Sequence, residues 1–316
     1  MKNNFIQRAD RKRGIFIAEN AATKALVRSL KIYAQTELSL LLEGETGTGK
    51  DQFARALHEG SERKHGPFVE LNCAALPEGL IEAECFGWTK GAFTGAHQRR
   101  VGRIESANGG TFYLNEVHRA SKPVQSKILN VLENKVVTPL GETREIPVDF
   151  RLVSAASVDL RTSVSCGDFL PDLYYRIACV RLNIPPLRER QEDIVALADH
   201  FLTHFSDVMQ LPKPEIELAA WSALLSYPWP GNVRELRNLI EHAFHLGRGG
   251  IITGELIDRL LDRSEALPAA LKDAEDQVRA ALIKRALQLF PNQREAAKHL
   301  GIALSTLKQL KRKFGL

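Results

Sequence analysis

Residues 44–51 read Gly-Glu-Thr-Gly-Thr-Gly-Lys-Asp, behind the largely apolar run Leu38–Leu42 and ahead of a helical pattern at 51–61. Glycine at 44, 47 and 49 lets the backbone curl until successive N–H groups face one concavity. Those donors, the positive end of the following helix and the Lys50 ammonium form a cradle for the β- and γ-phosphates of a nucleotide. The candidate nucleotide-binding residues are therefore Gly44, Glu45, Thr46, Gly47, Thr48, Gly49, Lys50 and Asp51. After such a lysine the usual residue is Ser or Thr, whose hydroxyl binds Mg2+; this chain has Asp51.

Short apolar runs at 38–44, 67–73, 110–116 and 149–157 alternate with helical spacing at 51–61 and 122–134. Strands alternating with helices predict an α/β fold with a parallel sheet covered on both faces. From about 192 to 262 only helical periodicity is legible, broken at Pro212, Pro214 and the turn Tyr227–Gly231. The expected organisation is a basic leader at 1–14, an α/β domain at 15–190, a helical lid at 191–262, a linker at 263–274 and a terminal module at 275–316. A hydrophobic share of 44% and a charged share of 26% exclude a disordered or collagen-like chain. No apolar run approaches the roughly 18 residues of a membrane span, and none behind the N-terminus suits a secretory signal. Four scattered cysteines without CxxC spacing suit buried thiols in a reducing cytoplasm.

A second nucleotide-site motif is Gly110-Thr-Phe-Tyr-Leu-Asn-Glu116. A hydrophobic strand ending in Asp-Glu supplies a Mg2+-associated carboxylate and a glutamate that polarises the attacking water. Glu116 is present, but Asn115 replaces the aspartate and is a weaker ligand for a hard cation. At the other end, residues 281–316 hold eight basic residues and one acidic, a net +7 against +5 for the whole chain, leaving −2 on the remaining 280. Helical spacing at 278–289, 292–302 and 305–313, with a glycine turn at Leu300-Gly301, predicts a helix-turn-helix. Ser305 is expected to cap its last helix. That helix carries Thr306, Lys308, Gln309, Lys311, Arg312 and Lys313 toward double-stranded DNA.

Gly91-Ala-Phe-Thr-Gly-Ala96, behind Leu71–Leu76, resembles the bacterial enhancer-binding proteins, AAA+ ATPases that activate the sigma-54 form of RNA polymerase. Asp172–Ile177, Pro185–Arg190, Glu192–Ile194 and Trp229–Leu236 extend the resemblance over about 15–260. It implies an AAA+ core with a helical lid, ATP and Mg2+ as ligands, and self-assembly or assembly with a related activator in a hexameric ring. Gly91, Ala92, Phe93, Thr94, Gly95 and Ala96 would form the tip of a mobile loop touching sigma-54. Asn72 would hold the catalytic Glu116 aside by a hydrogen bond until ATP is in place. Arg176 would reach the γ-phosphate of a neighbouring subunit, and Arg234 would read the nucleotide in its own. The terminal module resembles Fis-like DNA-binding domains that seat such activators on enhancer sites.

Three positions depart from the family pattern: Asn115, Leu170 in place of a second finger arginine, and Ala156-Ser157 in place of Thr-Asn. Two readings follow. One is a slow but active ATPase, in which Asp51 partly compensates beside the metal and Asn115→Asp raises hydrolysis. The other is a DNA-binding regulator or partner subunit that binds ATP and hydrolyses it poorly. A receiver domain needs about a hundred residues, more than precede the ATPase here, so control is expected from expression level, an inhibitor protein or a partner subunit.

Overall fold

Leu40–Glu43 (β1), Phe68–Asn72 (β2), Thr111–Asn115 (β3), Arg151–Ala156 (β4) and Val180–Asn183 (β5) form a five-stranded parallel sheet in the order β2-β3-β4-β1-β5. The computed structural model describes residues 17–247, 250–261, 280–288, 290, 292–300 and 302–315. The expected leader and linker lie outside the described residues. β1, β3 and β4 are buried along their whole length, which is why they read as mostly apolar runs rather than alternating ones. Successive side chains still point to opposite faces. Leu40 and Leu42 join Tyr113, Val153, Phe53 and Leu57 in one core, under the helices Ala21–Ala34 (α1) and Lys50–Glu59 (α2). Leu41 joins Phe112, Leu114 and Leu152 on the other face, under Glu78–Phe86 (α3), Lys122–Asn134 (α4) and Pro171–Ile177 (α5).

The chain divides into two units, Ala21–Pro185 and a second made of Ile17–Asn20 with the residues from Pro186 onward. Two expected borders therefore move. Ile17–Asn20 joins the second unit because Asp193 Oδ1 accepts the backbone N–H groups of Glu19 and Asn20 at 2.6 and 2.8 Å. The border after β5 falls at Pro185 rather than 190 because Leu187 is fully buried in the second unit's core and its N–H donates to Asn232 Oδ1 at 2.7 Å.

In the second unit Gln191–Met209 (α6), Leu218–Ser226 (α7), Asn232–Gly247 (α8) and Gly254–Leu260 (α9) surround Trp229, which is fully buried. The turn before α8 is built rather than merely broken. Trp229 and Asn232 take positive φ, Trp229 Nε1 donates to Leu224 O at 2.8 Å, and Glu235 Oε2 accepts from Gly231 N at 2.8 Å. The expectation of helices alone misses a two-residue parallel pair, Glu215–Ile216 with Ile251–Ile252, too short to leave a periodic signal.

Residues 280–288 are helical and precede Gln293–His299 (α10) and Leu304–Phe314 (α11). Ile283, Ala286, Ala296, Ala297 and Leu307 form their core. Asn292 caps α10 by accepting from Arg294 N at 3.0 Å. The expected cap of α11 is corrected. Ala303 occupies the cap position without a side-chain bond, and Ser305 lies inside the first turn. Leu304, Leu307, Leu310 and Phe314 set the inward stripe, and that stripe fixes the start one residue before Ser305. Ser305, Thr306, Lys308, Gln309, Arg312 and Lys313 are exposed and Lys311 is half-buried. Among the described residues no helix is long and apolar enough to cross a membrane.

Candidate functional site

The C-terminal ends of β1 to β4 align at one edge of the sheet, with Asn72 beside Asn115 and Glu43 beside Ala156. Open parallel sheets bind ligands beyond such an edge. The loop 44–51 leaves β1 there, Glu116 follows β3 and Ser157 follows β4. Gly44 N donates to Ala156 O at 3.3 Å, and a Cβ on Gly44 would stand 2.7 Å from Ile184 O, so glycine is required by close approach. At Gly49 the requirement is conformational: φ is +101°, a region L side chains rarely adopt. Gly49 begins α2 and no side chain caps it, so the helix presents its N–H groups to the loop.

Lys50 is 6% exposed. Its Nζ donates to Gly44 O and Glu45 O at 2.7 and 3.2 Å and lies 3.6 Å from Glu116 Oε1. Thr48 Oγ1 donates to Glu45 O at 2.8 Å. Glu116 has φ +54°, uncommon for a residue with a side chain and typical of functional turns. Its Oε2 accepts from Ser157 Oγ at 2.6 Å.

That contact corrects the expected Asn72–Glu116 hydrogen bond. Asn72 Oδ1 accepts from Ala74 N at 2.9 Å and caps the turn Cys73–Ala75. The cap uses the amide oxygen of Asn72, whereas a bond to the Glu116 carboxylate would use its Nδ2, so the two contacts do not compete. Ser157 holds the glutamate instead, while Ala156 is fully buried.

Asp51, Asn115 and Tyr113 form one network. Asp51 Oδ1 accepts from Tyr113 OH at 2.7 Å and from Asn115 Nδ2 at 3.0 Å. Burial and, second, the Asp51 charge push the Tyr113 phenol up, so it stays protonated and donates. Asn115 is 6% exposed and its Oδ1 has no hydrogen-bond partner. Sequence reasoning missed Tyr113; its signal was a hydroxyl in the middle of an otherwise apolar strand. It also missed His118, whose Nδ1 is 3.5 Å from Glu116 Oε2; a histidine two residues beyond the glutamate was the visible cue.

Arg176 is exposed on α5 and donates to Leu132 O at 2.9 Å. Leu170 packs on the core at the start of the same helix. Arg234 is exposed on α8, in the second unit.

The loop 91–96 rises from an antiparallel pair, Gly87–Trp88 with Arg100–Val101. Gly91 N donates to Ala96 O at 2.9 Å and closes the tip. Phe93 and Thr94 are exposed with Gly91 and Gly95, and Ala92 is half-buried. Ala96 is 5% exposed and backs the loop. The Phe93 ring meets Trp88 edge-on at 5.5 Å, and the Arg100 guanidinium lies 5.1 Å over Trp88.

Comparison with known proteins matches residues 16–183 to the sigma-54 interaction domain and 188–274 to an AAA+ ATPase lid domain. The sigma54-dependent transcriptional activator SfnR of Pseudomonas putida is 41% identical over 256 residues, covering 80% of this chain and 70% of SfnR. The C4-dicarboxylate transport transcriptional regulatory protein DctD of Pseudomonas aeruginosa is 41% identical over 303 residues, covering 96% of this chain and 65% of DctD. Among solved structures, NtrX from Brucella abortus in complex with ATP superposes with a TM-score of 0.76 at 28% identity, covering 97% of this chain and 71% of that one.

Proposed function

Because the chain belongs to the sigma-54-dependent transcriptional activators, whose sigma-54 interaction domain is an AAA+ ATPase, we propose that it hydrolyses ATP to remodel the sigma-54 RNA polymerase closed complex. The observation that carries this reading is Lys50 Nζ 3.6 Å from Glu116 Oε1, at the strand edge where the glycine loop opens. Lys50 and the N–H groups of α2 bind the phosphates; Glu116 orients and deprotonates the attacking water. The known structure of NtrX with ATP supports a nucleotide in this cradle.

Mg2+ fits the oxygen donors present. The partnerless, buried Asn115 Oδ1 and the Asp51 carboxylate suit a hard cation. Among the described residues no group of three His, Cys, Asp or Glu side chains converges, so the nucleotide would supply much of the coordination. Bound there, Mg2+ neutralises phosphate charge.

Arg176 serves a neighbouring subunit in a hexameric ring, and Arg234 reads the nucleotide. Asn72, whose Oδ1 caps the turn Cys73–Ala75, would hold Glu116 aside through its Nδ2 until ATP is in place. Phe93 and Thr94 touch sigma-54. The terminal module binds enhancer DNA through α11, in the cytoplasm, with control by expression, an inhibitor or a partner. A non-hydrolysing subunit is the less favoured reading, because Ser157 keeps the glutamate in a defined hydrogen bond despite the substitutions around it. Open-complex formation by the purified chain with sigma-54 polymerase and ATP tests the proposal. Activity lost with a non-hydrolysable analogue and with Thr94→Ala is expected. Thr94→Ala that activates like wild type removes the assigned contact, and wild type that never yields open complexes removes the function.

A further inference from the structure

Glu116 is held from two sides. Oε1 faces Lys50 at 3.6 Å, while Oε2 receives Ser157 Oγ at 2.6 Å and has His118 Nδ1 3.5 Å away. The backbone makes this third neighbour unavoidable. The positive φ of Glu116 turns the chain at the end of β3, Val117 is drawn fully into the core, and the short helical turn Val117–Arg119 brings residue 118 back beside the carboxylate. The His118 side chain is 10% exposed, and its Nδ1 has no hydrogen-bond partner. A bare nitrogen this deep is costly unless a partner takes it up during function.

We propose that His118 is a positioning residue for Glu116. Its Nδ1–H and the Ser157 hydroxyl together hold Oε2, leaving Oε1 as the oxygen that takes the proton from the attacking water. This rests on the reading of Glu116 as the base. The pairing also sets a pH response. Burial lowers the imidazole below its ordinary value, Glu116 raises it, and Arg119 and Lys50 lower it further; Ser157, from the end of β4, does not titrate. Near neutrality His118 is uncharged and only orients the carboxylate. On acidification it becomes a cation paired with Glu116, which stabilises the carboxylate and weakens it as a base.

The test uses the full chain with His118→Ala, His118→Asn and Glu116→Gln. Asn places an amide N–H near the Nδ1 position but cannot titrate. ATPase kinetics are measured from about pH 5.5 to 8.5, with affinity for a fluorescent ATP analogue measured separately. For His118→Ala, kcat is expected to fall about fivefold or more, with KM and nucleotide affinity within about twofold. His118→Asn restores most of kcat and flattens the acid limb of the profile. Histidine NMR gives a readout free of turnover: the resonance absent from His118→Asn titrates at lower pH in Glu116→Gln than in wild type, because the carboxylate that raises it is gone. Equal kcat in wild type and His118→Ala, or an NMR midpoint that Glu116→Gln leaves in place, overturns the proposal alone. A wild type that hydrolyses no ATP overturns the reading of Glu116, and this proposal with it.

Discussion

At the scale of single residues, the consequential pair is Asp51 and Asn115. From sequence, Asn115→Asp was expected to strengthen the metal site and raise hydrolysis. The structure adds a cost that the sequence does not show. Asn115 Nδ2 donates to Asp51 Oδ1 at 3.0 Å, so an aspartate at 115 sets a second carboxylate against the first and removes a hydrogen bond to a charged acceptor. Such a bond is worth about 1.5–3 kcal/mol, and two carboxylates in one site raise each other's pKa. Asn115→Asp is expected to lower the melting temperature and weaken nucleotide binding. Adding Asp51→Ser, which removes the competing charge, is expected to recover both. Thermal unfolding and nucleotide titration of the single and double variants check this, and a single variant as stable as wild type refutes it.

At the scale of elements, the loop 91–96 and the helix α11 are held by a few local contacts. Phe93 stays 44% exposed while its ring edge meets Trp88. Edge-to-face aromatic pairs contribute about 0.5–1.5 kcal/mol, enough to bias a loop and too little to lock it. Trp88→Ala is expected to speed proteolysis within residues 89–97 by about threefold to tenfold, with unchanged nucleotide affinity. Equal cleavage rates would mean that Trp88 does not restrain the loop. In α11 the inward and outward faces have separable roles. Leu307 is fully buried among Ile283, Ala286, Ala296 and Ala297, and Leu307→Ala is expected to cost about 2–5 kcal/mol. That exceeds what so small a cluster can spare, so helicity and DNA binding should be lost together. Lys308→Ala, on the exposed face, should keep the helix by circular dichroism and weaken DNA binding alone.

At the scale of the whole molecule, charge and titration are distributed so that each region answers to solution conditions differently. The net +7 of residues 281–316 against −2 elsewhere predicts DNA affinity that falls steeply and linearly in log–log form with salt, because phosphate contacts release counterions. A flat salt response would exclude those lysines and arginines from the interface. Both units also carry histidines whose burial lowers their pKa: buried His58 and half-buried His118 in the first, half-buried His200 in the second. A histidine with a depressed folded pKa binds fewer protons folded than unfolded, so stability is complete above about pH 6.5 and is lost as pH falls below it. Melting temperatures should therefore drop between about pH 7.5 and 5.5, and His58→Gln, which retains a partner for Thr111, should shrink the drop in the first unit. What the sequence determined by itself was everything set by neighbours along the chain. The glycine loop needs φ values that only glycine adopts freely, strands buried on both faces read as apolar runs, and the inward stripe of α11 repeats with the helical period. What only the tertiary structure decided were contacts between residues brought together by sheet register and packing: Ser157 and not Asn72 on Glu116, Tyr113 and Asn115 on Asp51, Ala96 turned inward, and Ile17–Asn20 tied to Asp193 in the second unit. The reason is that a side chain's local options are written in its own sequence, while which distant group meets it depends on how strands align, and a shift of one residue in register exchanges the faces and the partners together.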